Sequence, residues 1–423
     1  MNIIRKFKNT GQLPEETKNT LRTYAIFIWH GAFLALTMSM LDFNTVFPAL
    51  VSNLTESKII FGILYSVMLG TPCVFNIIIS SFMHTHRFKK KILLLGIYLR
   101  SFSFLGMAIF TLFFGRQFPM LVVASLFFWV FLFAISGGFA GMAYSDIIGK
   151  LVKKGRRGRL FASRQFAMGT FSFLGGLIVL NIFTFQRLPF PSNYTITLII
   201  GCAGLLFASI AFWFIREPPS IIEDKKRVSF KLFIKKVPSI LKKDKEFTRF
   251  IIVENMSSFS LMIFPFYMLY AKDTFAINET YVGRYLIFQT VGAIISNLLW
   301  GVISNKWGSK MIVRTCILIG GLVPVLAVIL SKVSPNYYSV VFFLVGFLIS
   351  GRQVGFESYL LDIAPSDNRI IYLGIRGTMN IFIVLLPILG GYFITYFGYY
   401  FTFIIVTVVM IGAFIVLGKR GVS

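Results

Sequence analysis

Among the ionisable side chains within or at the ends of long apolar runs are His30, Asp42, Arg100, Asp146, Glu254, Arg352, Glu357 and Asp362. An ionisable group at bilayer depth costs at least a few kcal/mol unless it is paired or hydrated, so each needs a reason. Glu254 is followed by Ser257 and Ser258 at i+3 and i+4 and, further along the run, by Pro265. A carboxylate on a hydroxyl-lined helical face suits proton or cation exchange, or a pairing with Arg352. Arg352 and Glu357 are separated by about 140° of helix rotation and cannot share a face. Ser350, Gln353 and Glu357 make one stripe; Arg352, Phe356 and Tyr359 make another. Arg352 suits either an anion, because a guanidinium stays protonated and forks onto carboxylates, or Glu254. His30, Thr37 and Asn44 recur every seven residues and fall within about 40° of one another. His30 reads either as a group titrating near neutral pH or as a hydrogen-bonded structural histidine. Asp42, roughly 120° from His30, reads as a coupling carboxylate or as a cap for a neighbouring helix. Arg100 sits within partial snorkelling reach of one end of its run.

The elements that must position these groups are membrane helices. Of the 423 residues, 56% are hydrophobic and only 14% charged, far outside the usage of soluble domains. Twelve apolar runs are predicted as spans, at 24–49, 59–83, 92–114, 119–142, 165–185 and 194–215, then 247–270, 281–303, 311–330, 338–360, 371–396 and 397–418. Each matches the roughly 20 residues that cross a core about 30 Å thick. The runs are continuous rather than alternating, which excludes a transmembrane β-barrel.

Net charge is +26, a value that would suggest nucleic acid for a soluble domain. Its distribution points elsewhere. With the N-terminus inside, 34 of the 42 basic residues fall on inner segments and 6 on outer ones. That bias predicts both termini in the cytoplasm and a multi-pass protein of the plasma (cell inner) membrane, with anionic lipid and not nucleic acid against the basic loops. The expected organisation is an N-terminal segment 1–23, a six-helix bundle 24–215, a linker 216–246, a second six-helix bundle 247–418 and a tail 419–423. In the linker Phe230, Phe233, Val237 and Leu241 recur at helical spacing among basic residues, predicting an amphipathic helix on the inner surface.

The two halves repeat. Ile135-Ser136-Gly137 with Gly141 matches Ile349-Ser350-Gly351 with Gly355, Asp146 matches Asp362, Leu174-Gly175-Gly176 matches Leu389-Gly390-Gly391, and Pro48 matches Pro265. Six spans is an even number, so the repeats run parallel, a transporter architecture. Between the eighth and ninth spans, Gly301-Val-Ile-Ser-Asn305-Lys306-Trp-Gly308-Ser-Lys310 resembles the loop motif of the major facilitator superfamily. The equivalent loop after the second span keeps only the basic end, Arg87-Phe-Lys89-Lys90-Lys91. Asn305 and Thr85 occupy the motif's acidic position, a departure that puts its usual charge-pair latch in doubt. The stretches Asp42-Phe-Asn-Thr-Val-Phe-Pro48 and Asp146-Ile-Ile-Gly-Lys150 are similar to prokaryotic-type members.

The resemblance implies an all-α integral membrane protein of twelve helices in which spans 1, 4, 7 and 10 line a central cavity. It makes His30, Asp42, Asn44, Glu254, Arg352 and Glu357 candidates for substrate or coupling contacts. Asp146 and Asp362, at equivalent places in the repeat, are expected to supply the acids missing at Thr85 and Asn305. They would pair with Arg87, Lys89 and Lys90 or with Lys306 and Lys310, beside Gly308, and close the cytoplasmic side; ordinary helix-end charges are the alternative. No phosphate loop, HExxH or Gly-x-Ser-x-Gly elbow occurs, and Cys73, Cys202 and Cys316 are far apart, so no enzyme, cofactor or metal site is expected. The reading is a monomeric secondary transporter of a small organic solute, proton- or ion-coupled. Its alternatives are a lipid or amphiphile translocator and a non-transporting receptor or assembly protein.

Overall fold

A computed structural model of the protein describes residues 15–84, 86–152, 156–185, 187–219, 230–365 and 369–418. Thr85, the tail 419–423 and parts of the N-terminal segment and linker lie outside the described residues. Among the described residues all regular structure is helical. A bilayer core offers no water to backbone N–H and C=O groups, and the helix satisfies them internally.

The first half contains α1 (Glu15–Met40), the short α2 (Val46–Ser52), α3 (Lys58–His84), α4 (Lys90–Phe114), α5 (Pro119–Leu151), α6 (Arg157–Thr184) and α7 (Ser192–Trp213). After the linker helix α8 (Phe230–Lys243) come α9 (Lys245–Ser257), α10 (Phe259–Ile263), α11 (Phe266–Phe275), α12 (Thr280–Trp307), α13 (Ser309–Leu330), α14 (Pro335–Ile363), α15 (Arg369–Met379) and α16 (Leu386–Gly418). A 3-10 turn, Asn380–Leu385, joins the last two.

Eleven stretches among the described residues are long and apolar enough to cross a membrane, the last being 48 residues, Ile371–Gly418. One straight helix of that length would run about 72 Å, more than twice the apolar core. The backbone breaks at Gly398, where φ is +80°. Gly308 makes a break of nearly identical geometry, φ +78°, between α12 and α13. Both positions need a residue without a Cβ.

Two spans are interrupted at equivalent places. α1 stops before Asp42, whose carbonyl and carboxylate take the amides and hydroxyl of the following turn, and α2 restarts the direction. In the second half the helix pauses at Ser258 and again at Phe264–Pro265, where proline has no N–H to continue the ladder.

Helix packing repeats between halves. α1 packs on α6 and α7, α3 on α5, and α4 on α5 and α7; correspondingly α10 packs on α16, α12 on α14, and α13 on α14 and α16. The halves meet where α6 packs on α12 and α3 on α16. The paired glycines explain both contacts. A Cβ at Gly175 would lie 2.7 Å from that of Ser39 in its own half, and one at Gly176 would lie 3.1 Å from Ile287 in the other. Likewise Gly390 abuts the Met262 carbonyl of its own half and Gly391 the Lys58 carbonyl of the other. Large apolar side chains such as Phe113, Leu206, Ile404 and Val408 point outward, the surface a bilayer covers.

Candidate functional site

A cavity of about 800 Å³ separates the halves. Its walls are α1 (Leu34, Met38), α6 (Gln165, Ser172), α12 (Gln289, Asn297) and Ile349 of α14, with Asp42 and Asn44 from the break after α1. A second chamber of about 340 Å³ shares Met38, Asp42, Asn44 and Ile349 and adds Tyr65, Phe264 and Arg352. Both volumes fall within or near the range of small-molecule sites.

The two ends of the bundle differ. At the end away from the linker the halves are joined by polar contacts: Asn53 donates to Glu279 at 2.9 Å, Lys272 reaches Asn53 at 3.1 Å and Glu279 at 3.2 Å, and Lys58 pairs with Asp273 at 2.7 Å. The Tyr194 hydroxyl also donates to Glu279. At the basic end, which carries Lys89, Asp146 and Asp362, no hydrogen bond or ion pair between described residues crosses from one half to the other. The cavity wall extends along α6 as far as Ala162 and Phe166 toward that end.

Asp42 joins the halves near the middle. Its carboxylate accepts from the Asn44 amide (3.0 Å), the Thr45 hydroxyl (2.9 Å) and, across the interface, the Gln289 amide (2.9 Å). It therefore caps the chain break and faces both cavities. Asn44 lies beside it and accepts from the Tyr65 hydroxyl at 3.1 Å.

Arg352 and Glu254 do not pair. Arg352 donates to Ser257 and Ser258, each at 2.9 Å, and lies over the Phe356 ring at 5.3 Å. Glu254 is instead gripped by Arg376, whose Nε and Nη2 lie 2.6–3.0 Å from its carboxylate. The same guanidinium holds Glu357 at 2.7 Å. Glu254 and Glu357 line neither cavity. Sequence reasoning counted Arg376 among the inner-segment charges and missed this role. The signal was available: an arginine several residues inside an apolar run, on a segment with one polar face.

The His30–Thr37–Asn44 stripe does not form a cavity face. His30 is buried between Tyr144 and Phe212, ring centroids 5.3 and 4.7 Å away, and Thr37 donates to the Gly201 carbonyl of α7 at 3.2 Å. The stripe therefore looks into its own half, and only Asn44, beyond the helix break, turns to the cavity. Span 4, implied to be a lining helix, contributes no residue to either cavity. Its buried Phe133 packs at a tilt against Phe43, ring centroids 6.1 Å apart, and under Arg100, whose guanidinium lies 4.2 Å from its ring.

The expected cytoplasmic pairs are arranged within each half rather than between them. Asp146 pairs with Lys89 (2.9 Å) and Lys150 (2.7 Å), and Lys150 also reaches Glu217 at 2.5 Å. Glu217 further accepts the Lys89 and Lys90 amides at the start of α4, between 2.7 and 2.9 Å, so a carboxylate sits on a helix N-terminus. Asp362 accepts from Ser309 at 2.5 Å instead of from Lys306 or Lys310. Those two lysines, Asn305, Gly308 and Arg87 are exposed. No cluster of His, Cys, Asp or Glu among the described residues is placed to hold a metal ion.

Residues 250–420 match the family model of the Major Facilitator Superfamily. The chain is a multi-pass membrane protein whose second half matches that superfamily. Solved structures of the same fold include the nucleoside transporter NupG (TM-score 0.70, 10% identity, covering 94% of this chain and 100% of that one). A bacterial homologue of the iron transporter ferroportin in an inward-facing state aligns at TM-score 0.67 and 14% identity over 93% of this chain and 99% of that one. A D-xylose–proton symporter aligns at 0.63 and 17%, with 96% of each chain covered. No curated protein sequence matches the chain.

Proposed function

We propose that the protein is a secondary active transporter that carries a small organic solute across the plasma membrane by alternating access. The observation that carries this reading is the 800 Å³ cavity between two repeat-related halves, which polar contacts between described residues join near the middle and at the end away from the linker. The chain then crosses twelve times, the break at Gly398 marking the turn before the last crossing, and the basic end and both termini face the cytoplasm. The present state is inward-facing, the state named for the ferroportin homologue. Transport of nucleosides and sugars by chains of this fold supports a hydrophilic or amphiphilic cargo. Proton or ion coupling belongs to the reading, with Glu254 as its carboxylate and Arg376 as the present counter-ion. A cavity this large weighs against a receptor with a sealed core. The amphiphile-translocator alternative draws on the apolar rim, where Phe166 and Leu298 are 80% and 72% exposed.

Paired spin labels test the reading. Lys91→Cys with Lys310→Cys reports separation at the basic end, and Arg187→Cys with Lys332→Cys reports the opposite end. Two exchanging populations, one wide at each end in turn, are expected. A single distance at both ends, insensitive to solutes and pH, would sink alternating access.

A further inference from the structure

Asp42 and Arg352 are the charged side chains among the residues lining the two cavities, and they come from opposite halves. They face the same 340 Å³ chamber, yet no ion pair joins them. Each makes its hydrogen bonds with neutral groups: Asp42 with an amide, a hydroxyl and the Gln289 side chain, Arg352 with two serine hydroxyls. The Glu254 carboxylate is near Arg352 but taken up by Arg376. Opposite charges in a low-dielectric chamber attract strongly. A chamber that holds them apart and solvates each with dipoles is built for a ligand carrying the complementary charges.

The remaining hydrogen-bonding capacity fits. The Gln289 side chain, 94% buried, reaches Asp42 from the larger cavity, spends its NH2 on it and leaves its carbonyl oxygen without a partner. A carboxylate and an unpaired amide oxygen held side by side suit a donor-rich ammonium. Arg352 uses one N–H on each serine, and a guanidinium has five, so donors remain for a carboxylate. The rest of the wall is mostly apolar, with Met38, Phe264 and Ile349, while Asn44 and Tyr65 bond to each other.

We infer that the transported solute is a zwitterion, an amine and a carboxylate on one small apolar body, with its ammonium on Asp42 and Gln289 and its carboxylate on Arg352. This deepens the transporter reading and rests on it. A lone anion leaves Asp42 uncompensated, a lone cation leaves Arg352, and a neutral solute leaves both. Because the poles belong to different halves, the zwitterion also draws the halves together, which a solute bound to one half does not.

The test is thermal unfolding of the full chain in nanodiscs against amino acids with the amine at the α- or ω-position, each compared with the carboxylate and the amine of the same body, and against sugars and nucleosides. A zwitterion should stabilise where its matched carboxylate and amine do not. Asp42→Asn keeps an oxygen for the chain-break cap, whereas Arg352→Gln gives up the two serine hydrogen bonds. The ligand-free unfolding midpoint of each variant is therefore measured first, and Arg352→Lys, which keeps a cation, serves as the second variant. Asp42→Asn and Arg352→Gln should each weaken the zwitterion's Kd by about 10- to 100-fold. Selectivity should change in a way a structural role would not produce: Asp42→Asn accepts the matched carboxylate as well as the zwitterion, and Arg352→Gln the matched amine. Equal stabilisation by a carboxylate in the unmodified protein, a response confined to sugars or nucleosides, or silence from every zwitterion overturns the assignment. Any of these results with spin-label exchange intact leaves the transporter reading standing, whereas loss of exchange removes both.

Discussion

Arg376→Gln isolates what one guanidinium does for two carboxylates. Glu254 has a side chain only 3% exposed and takes two nitrogens of Arg376, while Glu357 is 55% exposed and takes one. Removing Arg376 strands a buried carboxylate, and breaking buried pairs in this way costs about 3–5 kcal/mol. The deficit should therefore be about 3–5 kcal/mol. Glu357→Gln should cost under about 1 kcal/mol because its partner charge is largely in water. Arg376→Gln combined with Glu254→Gln should recover most of the loss, giving a coupling of about 2 kcal/mol or more. The assay is an unfolding titration in mixed micelles. An Arg376→Gln deficit as small as that of Glu357→Gln, or one that Glu254→Gln does not relieve, would refute the reasoning.

Glu217→Gln removes the charge that caps α4 and compensates Lys150, and should lower stability by about 2 kcal/mol in the same titration. Gly391→Val places a side chain against the Lys58 carbonyl. At about 1–3 kcal/mol of overpacking it should move the state equilibrium about 5- to 150-fold toward opening of that end, read by the Arg187→Cys/Lys332→Cys spin-label pair. Lys272→Met, which removes the cation between Asn53 and Glu279, should widen the same pair without changing the internal packing of either half.

The helices were largely legible because apolar runs measure the membrane directly. The runs at 59, 92 and 119 open within two residues of α3, α4 and α5. Run ends on the basic side were misread in one direction: α5 continues to Leu151 and α6 begins at Arg157, because a helix continues into the interface after its apolar pattern has stopped. The candidate site was legible by residue type but not by partner. Helical spacing puts Arg352 and Glu357 on different faces, and their hydrogen-bond partners differ, Ser257 and Ser258 for one and Arg376 for the other, yet spacing assumes an unbroken helix. The Asp42 turn defeats that assumption for Asn44, which leaves the His30–Thr37 stripe. Arg376 serves Glu254 across 122 positions of sequence, and no local period reports such a distance. The inner charges report topology, and the structure shows Glu217, Asp146 and Lys150 also fastening helix ends within one half.

The most direct test of the central claim is the reaction of Ala293→Cys, a cavity position, with a membrane-impermeant thiol reagent in vesicles of known orientation, with Cys73, Cys202 and Cys316 replaced by alanine. Alternating access predicts fast reaction from the basic side and slow reaction from the other, with the two rates moving in opposite directions when Gly391→Val is added. Reaction from one side only, unchanged by Gly391→Val, would contradict it.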